Sequence, residues 1–191
     1  SFGYPGGDFR LTIPSLNLQP GEKVAVVGPS GTGKTTLLNL IAGIVVPSRG
    51  CVRLGDDVIS DMTDSARRAF PYRIAAGAKL DGEARARADR LAASCGLEGK
   101  LGRRPGALSQ GEQQRVALCR ALVMQPQIVL ADEATGNLDP ANKTAILDLL
   151  FQRTADQGAT LLAVTHDHEL LPRFDRVIDF ATFRHASEGA A

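Results

Sequence analysis

The stretch Gly28-Pro29-Ser30-Gly31-Thr32-Gly33-Lys34-Thr35 fits G-x-x-x-x-G-K-[ST] at every fixed position. What precedes and follows it gives the motif its meaning. Lys23 to Val27 reads K-V-A-V-V, a short β-branched run suited to a buried strand, whereas Leu37, Leu38, Leu40 and Ile41 lie on one face of a helix. The loop therefore joins a strand to a helix N-terminus. Its glycines let backbone N–H groups converge on phosphate oxygens, and the helix dipole adds about half a positive charge there. In this pattern Lys34 reaches the β- and γ-phosphates, and the Thr35 hydroxyl suits Mg²⁺, a hard cation that prefers oxygen ligands.

Composition narrows the setting. The chain has 191 residues, 43% hydrophobic and 23% charged, which suits one globular domain or a domain with a small lobe. A net charge of +1 gives no footprint for nucleic acid, and none is expected as a partner. Cys51, Cys95 and Cys119 are an odd number at spacings of 44 and 24, matching neither a disulfide framework nor a zinc site, and are expected as buried thiols in a reducing compartment. The longest apolar run, Leu40 to Val46, holds seven residues, whereas about 20 are needed to span a bilayer. No signal peptide is evident, so any work at a membrane requires another chain to supply the span.

Along the chain, Tyr4 to Asp8 is a turn cluster, and strands are expected over Phe9 to Ile13, Leu16 to Leu18, Cys51 to Leu54 and Val58-Ile59. Thr63-Asp64 can cap a short helix through Phe70, stopped by Pro71. Glu83 to Ser94 is rich in Ala and Arg and reads as a helix stopped by Gly96. A second helix opens in Leu108-Ser109-Gln110-Gly111-Glu112 and runs to about Met124; another starts at Pro140. Strands are expected at Ile128 to Leu130, Thr160 to Val164 and Val177 to Phe180. Strand and helix alternate, so the fold class is α/β with a mostly parallel sheet behind an antiparallel β lead-in.

Two strand ends carry chemistry. Asp132 and Glu133 follow an apolar strand, at the sheet edge where open α/β folds bind ligands. Asp132 suits the Mg²⁺ shell, and Glu133 the orientation or polarisation of an attacking water. His166 follows the strand Thr160 to Val164, reaches the same edge and can donate to a γ-phosphate oxygen. His168 and His185 have no comparable setting.

Together with Leu108-Ser109-Gln110-Gly111-Glu112 and Gly136-Asn137-Leu138-Asp139, these segments resemble the nucleotide-binding subunits of ABC transporters, in the order those subunits use and over nearly the whole chain. The signature departs at Gln110 and Glu112 from the common L-S-G-G-Q but keeps Ser109 and Gly111. Glu112 followed by Gln113-Gln114-Arg115, and Thr135 to Asp139, look most like the lipoprotein-release and macrolide-export branch, although Ala134 stands where that branch usually has proline. The resemblance implies a P-loop NTPase core over about 1–74 and 126–191, with a small helical lobe at about 75–125, in a single domain spanning 1–191. It implies ATP and Mg²⁺ as ligands, with nucleotide held by Tyr4 on the adenine, by the loop residues Gly28, Pro29, Ser30, Gly31, Thr32, Gly33, Lys34, Thr35 and Thr36, and by Ser109, Gly111 and Asp139 at a dimer interface. Catalysis falls to Glu133, His166 and Lys34, and the metal to Thr35 and Asp132. The implied partners are a second ATP-binding subunit and a separate integral membrane permease, with this chain peripheral at the cytoplasmic face of the inner membrane.

One departure bears on activity. Family members carry, between the P-loop and the signature, a glutamine that touches Mg²⁺ and the attacking water and links to the helical lobe. Between Gly50 and Leu108 this chain has no glutamine, and only 73 residues separate Lys34 from Leu108, fewer than the family uses. The join falls near Ile74, between Arg73-Ile74 and Ala75-Ala76-Gly77. Either the segment is lost, which favours an ATP-binding clamp or regulator without transport, or the full gene product retains it. A soluble ABC ATPase acting on DNA is disfavoured by the near-neutral charge and the lack of a coiled-coil insertion, and a small-molecule kinase by the lack of an acceptor lid.

Overall fold

In the computed structural model, residues 1–67, 82–133 and 140–183 are described. Two short strands, β1 (Phe2–Gly3) and β2 (Arg10–Leu11), pair antiparallel with Phe2 opposite Leu11. The strand expected over Phe9 to Ile13 is thus two residues long, and Leu16 to Leu18 forms none. Pro14 and Pro20 bracket that segment and cannot donate to a ladder, so Leu16 and Leu18 pack against the core without pairing. β3 (Lys23–Val27) follows and leads into α1 (Lys34–Ile41). A tight hairpin of β4 (Arg53–Leu54) and β5 (Asp57–Val58) follows, the first strand shorter than the expected Cys51 to Leu54 and the second one residue earlier than the expected Val58-Ile59. Ile59 leaves the ladder for a 3₁₀ turn and is buried. Residues 64–67 are helical, with the Ala66 N–H donating to Thr63 Oγ1 at 3.3 Å. The helix end at Phe70, the stop at Pro71 and the join near Ile74 lie outside the described residues.

The second half alternates as expected: α2 (Gly82–Ser94), α3 (Gln110–Leu122), β6 (Ile128–Asp132), α4 (Pro140–Asp156), β7 (Thr160–Val164) and β8 (Arg176–Asp179). α3 stops at Leu122 rather than Met124, and Gln125 takes φ 52° just before Pro126. Phe180 belongs not to β8 but to a following 3₁₀ turn, started by Asp179 accepting from the Ala181 N–H.

β6, β7, β3 and β8 lie side by side in that order, all parallel. Side chains alternate across a strand, so β7 sends Leu162 and Val164 to one face and Leu161 and Ala163 to the other. The first face is covered by α1 through Leu37, Leu38 and Leu40, the second by α3 and α4 through Leu118, Leu122, Leu147 and Leu150. Every residue of β7 is buried, as a central parallel strand requires. Burying one such leucine contributes about 1.5–3 kcal/mol.

The cysteines depart from expectation. Cys51 is exposed, because the short hairpin leaves its strand position outside the ladder; Cys95 is buried and Cys119 half-buried, facing each other between α2 and α3.

Candidate functional site

The loop from β3 to α1 is shaped by two glycines. Gly33, at φ 97°, caps α1, and a Cβ there would come within 2.7 Å of the Phe9 ring. Gly28, at φ 147°, passes so close to Phe180 that a Cβ would meet its Cβ at 3.2 Å. Only glycine combines these backbone angles with such approach. The first bond of α1 runs from the Leu37 N–H to Gly33 O at 2.9 Å, so the N–H groups of Lys34, Thr35 and Thr36 precede the ladder. No side chain caps this end and no acid stands in its first turn. Such an end suits an anion. Lys34 is 6% exposed, and its Nζ donates to Gly28 O and Pro29 O, both at 2.8 Å, which holds the cation inside the loop. Thr32 Oγ1 donates to Pro29 O at 2.8 Å, while Ser30 and Gly31 form the exposed tip.

Parallel strands bring their C-terminal ends to one edge. Asp132 lies opposite Val164 in the β6–β7 register, and the Thr165 N–H continues onto Val26 O of β3. At this edge Thr35 Oγ1 donates to Asp132 Oδ2 at 2.9 Å, joining the two residues expected at the metal. Among the described residues no group of three or more His, Cys, Asp or Glu side chains could hold a metal. A hydroxyl and one carboxylate still fit Mg²⁺, which keeps several waters and takes substrate phosphates as ligands.

Glu133 adopts φ 46°, and its N–H still donates to Val164 O at 3.1 Å. That left-handed step brings its Oε1 to 2.7 Å from His166 Nε2, with both side chains about half exposed. The histidine therefore contacts the carboxylate. Next to it, Asp167 pairs with Lys143 of α4 and accepts from the Glu169 N–H at 3.0 Å. The hydrogen bond from Lys143 holds the Asp167 carboxyl below its usual range. Nothing in the sequence pairs Lys143 with this strand end.

Tyr4 is 40% exposed beside α1; its hydroxyl shares a hydrogen bond with Thr36 Oγ1 at 3.2 Å, and its ring lies 4.8 Å from Phe2 and 5.8 Å from Phe9. Ser109 and Gly111 stand at the start of α3. Ser109 Oγ accepts from the Glu112 N–H, and a Glu112 oxygen accepts from the Ser109 N–H at 2.8 Å, a reciprocal capping box. Glu112 also pairs with Lys100, whose hydrogen bond, followed by that of the Ser109 N–H, lowers the Glu112 pKa. The signature's departure at 112 thus has a local use, and the S-x-x-E spacing carries the signal for it. Among the described residues no hydrogen bond or ion pair joins the Ser109 turn to the Lys34 loop. Ala134, Gly136 to Leu138 and Asp139 lie outside the described residues.

Comparison with known proteins gives a consistent result. The family model for ABC transporters matches residues 11–136. The lipoprotein-releasing system ATP-binding protein LolD of Ruegeria pomeroyi is 40% identical, the match covering 97% of this chain and 92% of that one. LolD of Pseudomonas fluorescens is also 40% identical, over 85% of this chain and 82% of the relative. The match to the Ruegeria protein runs over 210 residues, more than the 191 of this chain, so the relative holds residues without a counterpart here. Among solved structures, the dimeric bacterial ABC transporter cassette MJ0796 superposes with a TM-score of 0.73 at 31% identity, covering 86% of this chain and 83% of that one. A post-hydrolysis state of MJ0796 bound to ADP and Pi gives 0.73 at 28% identity and covers 90% of each chain. Among the described residues no helix is long and apolar enough to cross a membrane.

Proposed function

The chain belongs to the ABC transporter family, and on that footing we propose that it binds and hydrolyses Mg-ATP to power a separate membrane permease through ATP-driven dimerisation. The observation that carries this reading is the convergence of Lys34, the Thr35–Asp132 pair and the Glu133–His166 pair beside the uncapped start of α1. The phosphates lie against the N–H groups of α1 with Lys34 as the cation, in the loop from Gly28 to Thr36. Thr35 and Asp132 hold Mg²⁺, which when bound neutralises charge shared between phosphate oxygens. Glu133 orients the attacking water and takes its proton; His166 keeps that carboxylate in place. Tyr4 stacks on the adenine. Its exposure, its ring contacts with Phe2 and Phe9, and its hydroxyl's tie to Thr36 beside the loop support this.

Ser109, Gly111 and Asp139 serve the nucleotide of the partner subunit. The lack, among the described residues, of any hydrogen bond or ion pair between the Ser109 turn and the Lys34 loop, and the dimeric state of the MJ0796 cassette, support this arrangement. In the division we favour, a core of about 1–74 and 126–191 carries the loop and strand ends, and a lobe at about 75–125 carries the signature. The relatives' part in a lipoprotein-releasing system points to a permease that supplies the span, with this chain at its cytoplasmic face. A second reading, a clamp that binds ATP without transport, is favoured by one observation: the relative's extra residues, together with the missing glutamine between Gly50 and Leu108.

Phosphate release by the purified chain, with Mg²⁺ and with the metal chelated, tests the reading. Metal-dependent turnover that rises with a co-purifying permease supports it. ATP binding without turnover under any of these conditions leaves the clamp.

A further inference from the structure

Cys95 and Cys119 play no part in the reading above, yet they are placed as a functional pair would be. Cys95 closes α2, its N–H bonded back to Leu91 O at 3.0 Å; Cys119 is on α3, ten residues beyond its N-cap Ser109. Their sulfurs are 3.2 Å apart, with Cys119 Sγ donating to Cys95 Sγ. A disulfide needs about 2.05 Å, so the sulfurs have about 1.2 Å to close. The pair also has positive neighbours. The Nε atoms of Arg115 and Arg153 are both buried without a hydrogen-bond partner among the described residues.

We propose that Cys95 and Cys119 form a redox-active dithiol that a peroxide converts into an intramolecular disulfide, tying the end of α2 to α3. The Cys95 thiolate attacks one peroxide oxygen, and the O–O bond breaks. This forms a sulfenic acid at Cys95 and releases hydroxide, which takes up the proton lost by Cys95 and leaves as water. The Cys119 sulfur then attacks the Cys95 sulfur, losing its proton as the S–O bond breaks and a second water leaves. Two thiols and one peroxide thus give one disulfide and two waters, the thiols losing the two electrons that the peroxide gains.

The environment selects Cys95 as the attacking sulfur. The hydrogen bond from Cys119, opposed by burial and assisted by Ser94, Arg153 and Arg115, lowers its pKa to about 7, while the same contact and burial raise that of Cys119. Cys119 is half-buried, so the pair is not sealed from solvent. The bond would give the helix presenting Ser109 a covalent attachment at its third turn. This chemistry is independent of whether the chain drives a permease.

The test uses the whole chain. After treatment with hydrogen peroxide, thiols are alkylated in denaturant, and the chain is cut with trypsin and mapped without reduction. Trypsin separates the two cysteines into Leu91–Lys100 and Val116–Arg120, and puts Cys51 in Gly50–Arg53. The expected product is Leu91–Lys100 joined to Val116–Arg120, two hydrogens lighter than the sum of the free peptides. Titratable thiols fall from three to one and return to three with dithiothreitol. The Cys51→Ser chain gives the same linked pair, its thiols falling from two to none. Recovery of both peptides alkylated and unlinked at a peroxide dose that oxidises Cys51, or linkage of either to Gly50–Arg53 instead, overturns the proposal.

Discussion

Replacing Lys34 with alanine isolates one interaction at the loop. Its ammonium has three donors, of which two bond Gly28 O and Pro29 O at 2.8 Å, leaving one for a phosphate oxygen without rearrangement. A hydrogen bond to a charged group contributes about 1.5–3 kcal/mol, so losing it weakens Mg-ATP binding by about tenfold to a little over a hundredfold. Binding is not abolished, because the N–H groups ahead of the α1 ladder and the helix dipole remain. Unfolding does not confound the result: Gly28 is half-buried and Pro29 exposed, so water can replace the ammonium at both carbonyls. Titration of the wild-type and Lys34→Ala chains with a fluorescent ATP analogue in Mg²⁺ measures the ratio, with a thermal melt to establish that the variant is folded. A folded variant whose affinity stays within about twofold of wild type would remove Lys34 from the nucleotide site, since one charge-assisted bond cannot contribute so little.

Glu133→Gln should retain ATP binding but lower turnover by about a hundredfold to ten-thousandfold, and collect an ATP-bound dimer on size-exclusion chromatography; a wild-type rate of phosphate release would exclude Glu133 as the base. Ser109→Arg should leave nucleotide binding to the isolated subunit intact while blocking turnover. Mixing it with Lys34→Ala should restore part of the activity through one intact composite site, and no recovery in demonstrated heterodimers counts against the trans arrangement. Because Lys100 lowers the Glu112 pKa from 4.5, the stability this confers is fully present above about pH 4.5 and is lost as pH falls through the lowered value. Lys100→Met should therefore flatten the acid side of a plot of Tm against pH, and an unchanged acid limb would show that the pair does not couple to folding.

The loop, the sheet and the edge that carries Asp132 and Glu133 were legible in the sequence because each compresses chemistry into neighbouring residues. Gly28 to Thr35 must follow a strand and open a helix, and the apolar runs Lys23 to Val27 and Thr160 to Val164 admit few alternatives to buried parallel strands. Asp132 and Glu133 were readable as a strand end, and Thr35 with Asp132 as joint candidates for the metal; the direct contact of His166 with Glu133 was not, because it depends on a left-handed backbone step at Glu133 that no residue type announces. Leu16 to Leu18 alternates like a strand, and only the flanking prolines argue otherwise. The Cys95–Cys119 contact depends on how α2 crosses α3, a tertiary relation that a spacing of 24 does not encode.

Glu133 pays for its position in conformational strain. A left-handed φ costs a residue with a Cβ roughly 1–2 kcal/mol, and its helper bond to Val164 O holds it in that state at the end of the sheet. Glycine would adopt φ 46° freely, so Glu133→Gly is expected to make the fold more robust while removing the proposed base. Selection for thermal tolerance alone would then drift towards an inactive protein. With Glu133 as the proposed base, robustness and turnover are opposed at this position, and an engineered library sorted by melting temperature is expected to discard the acid early.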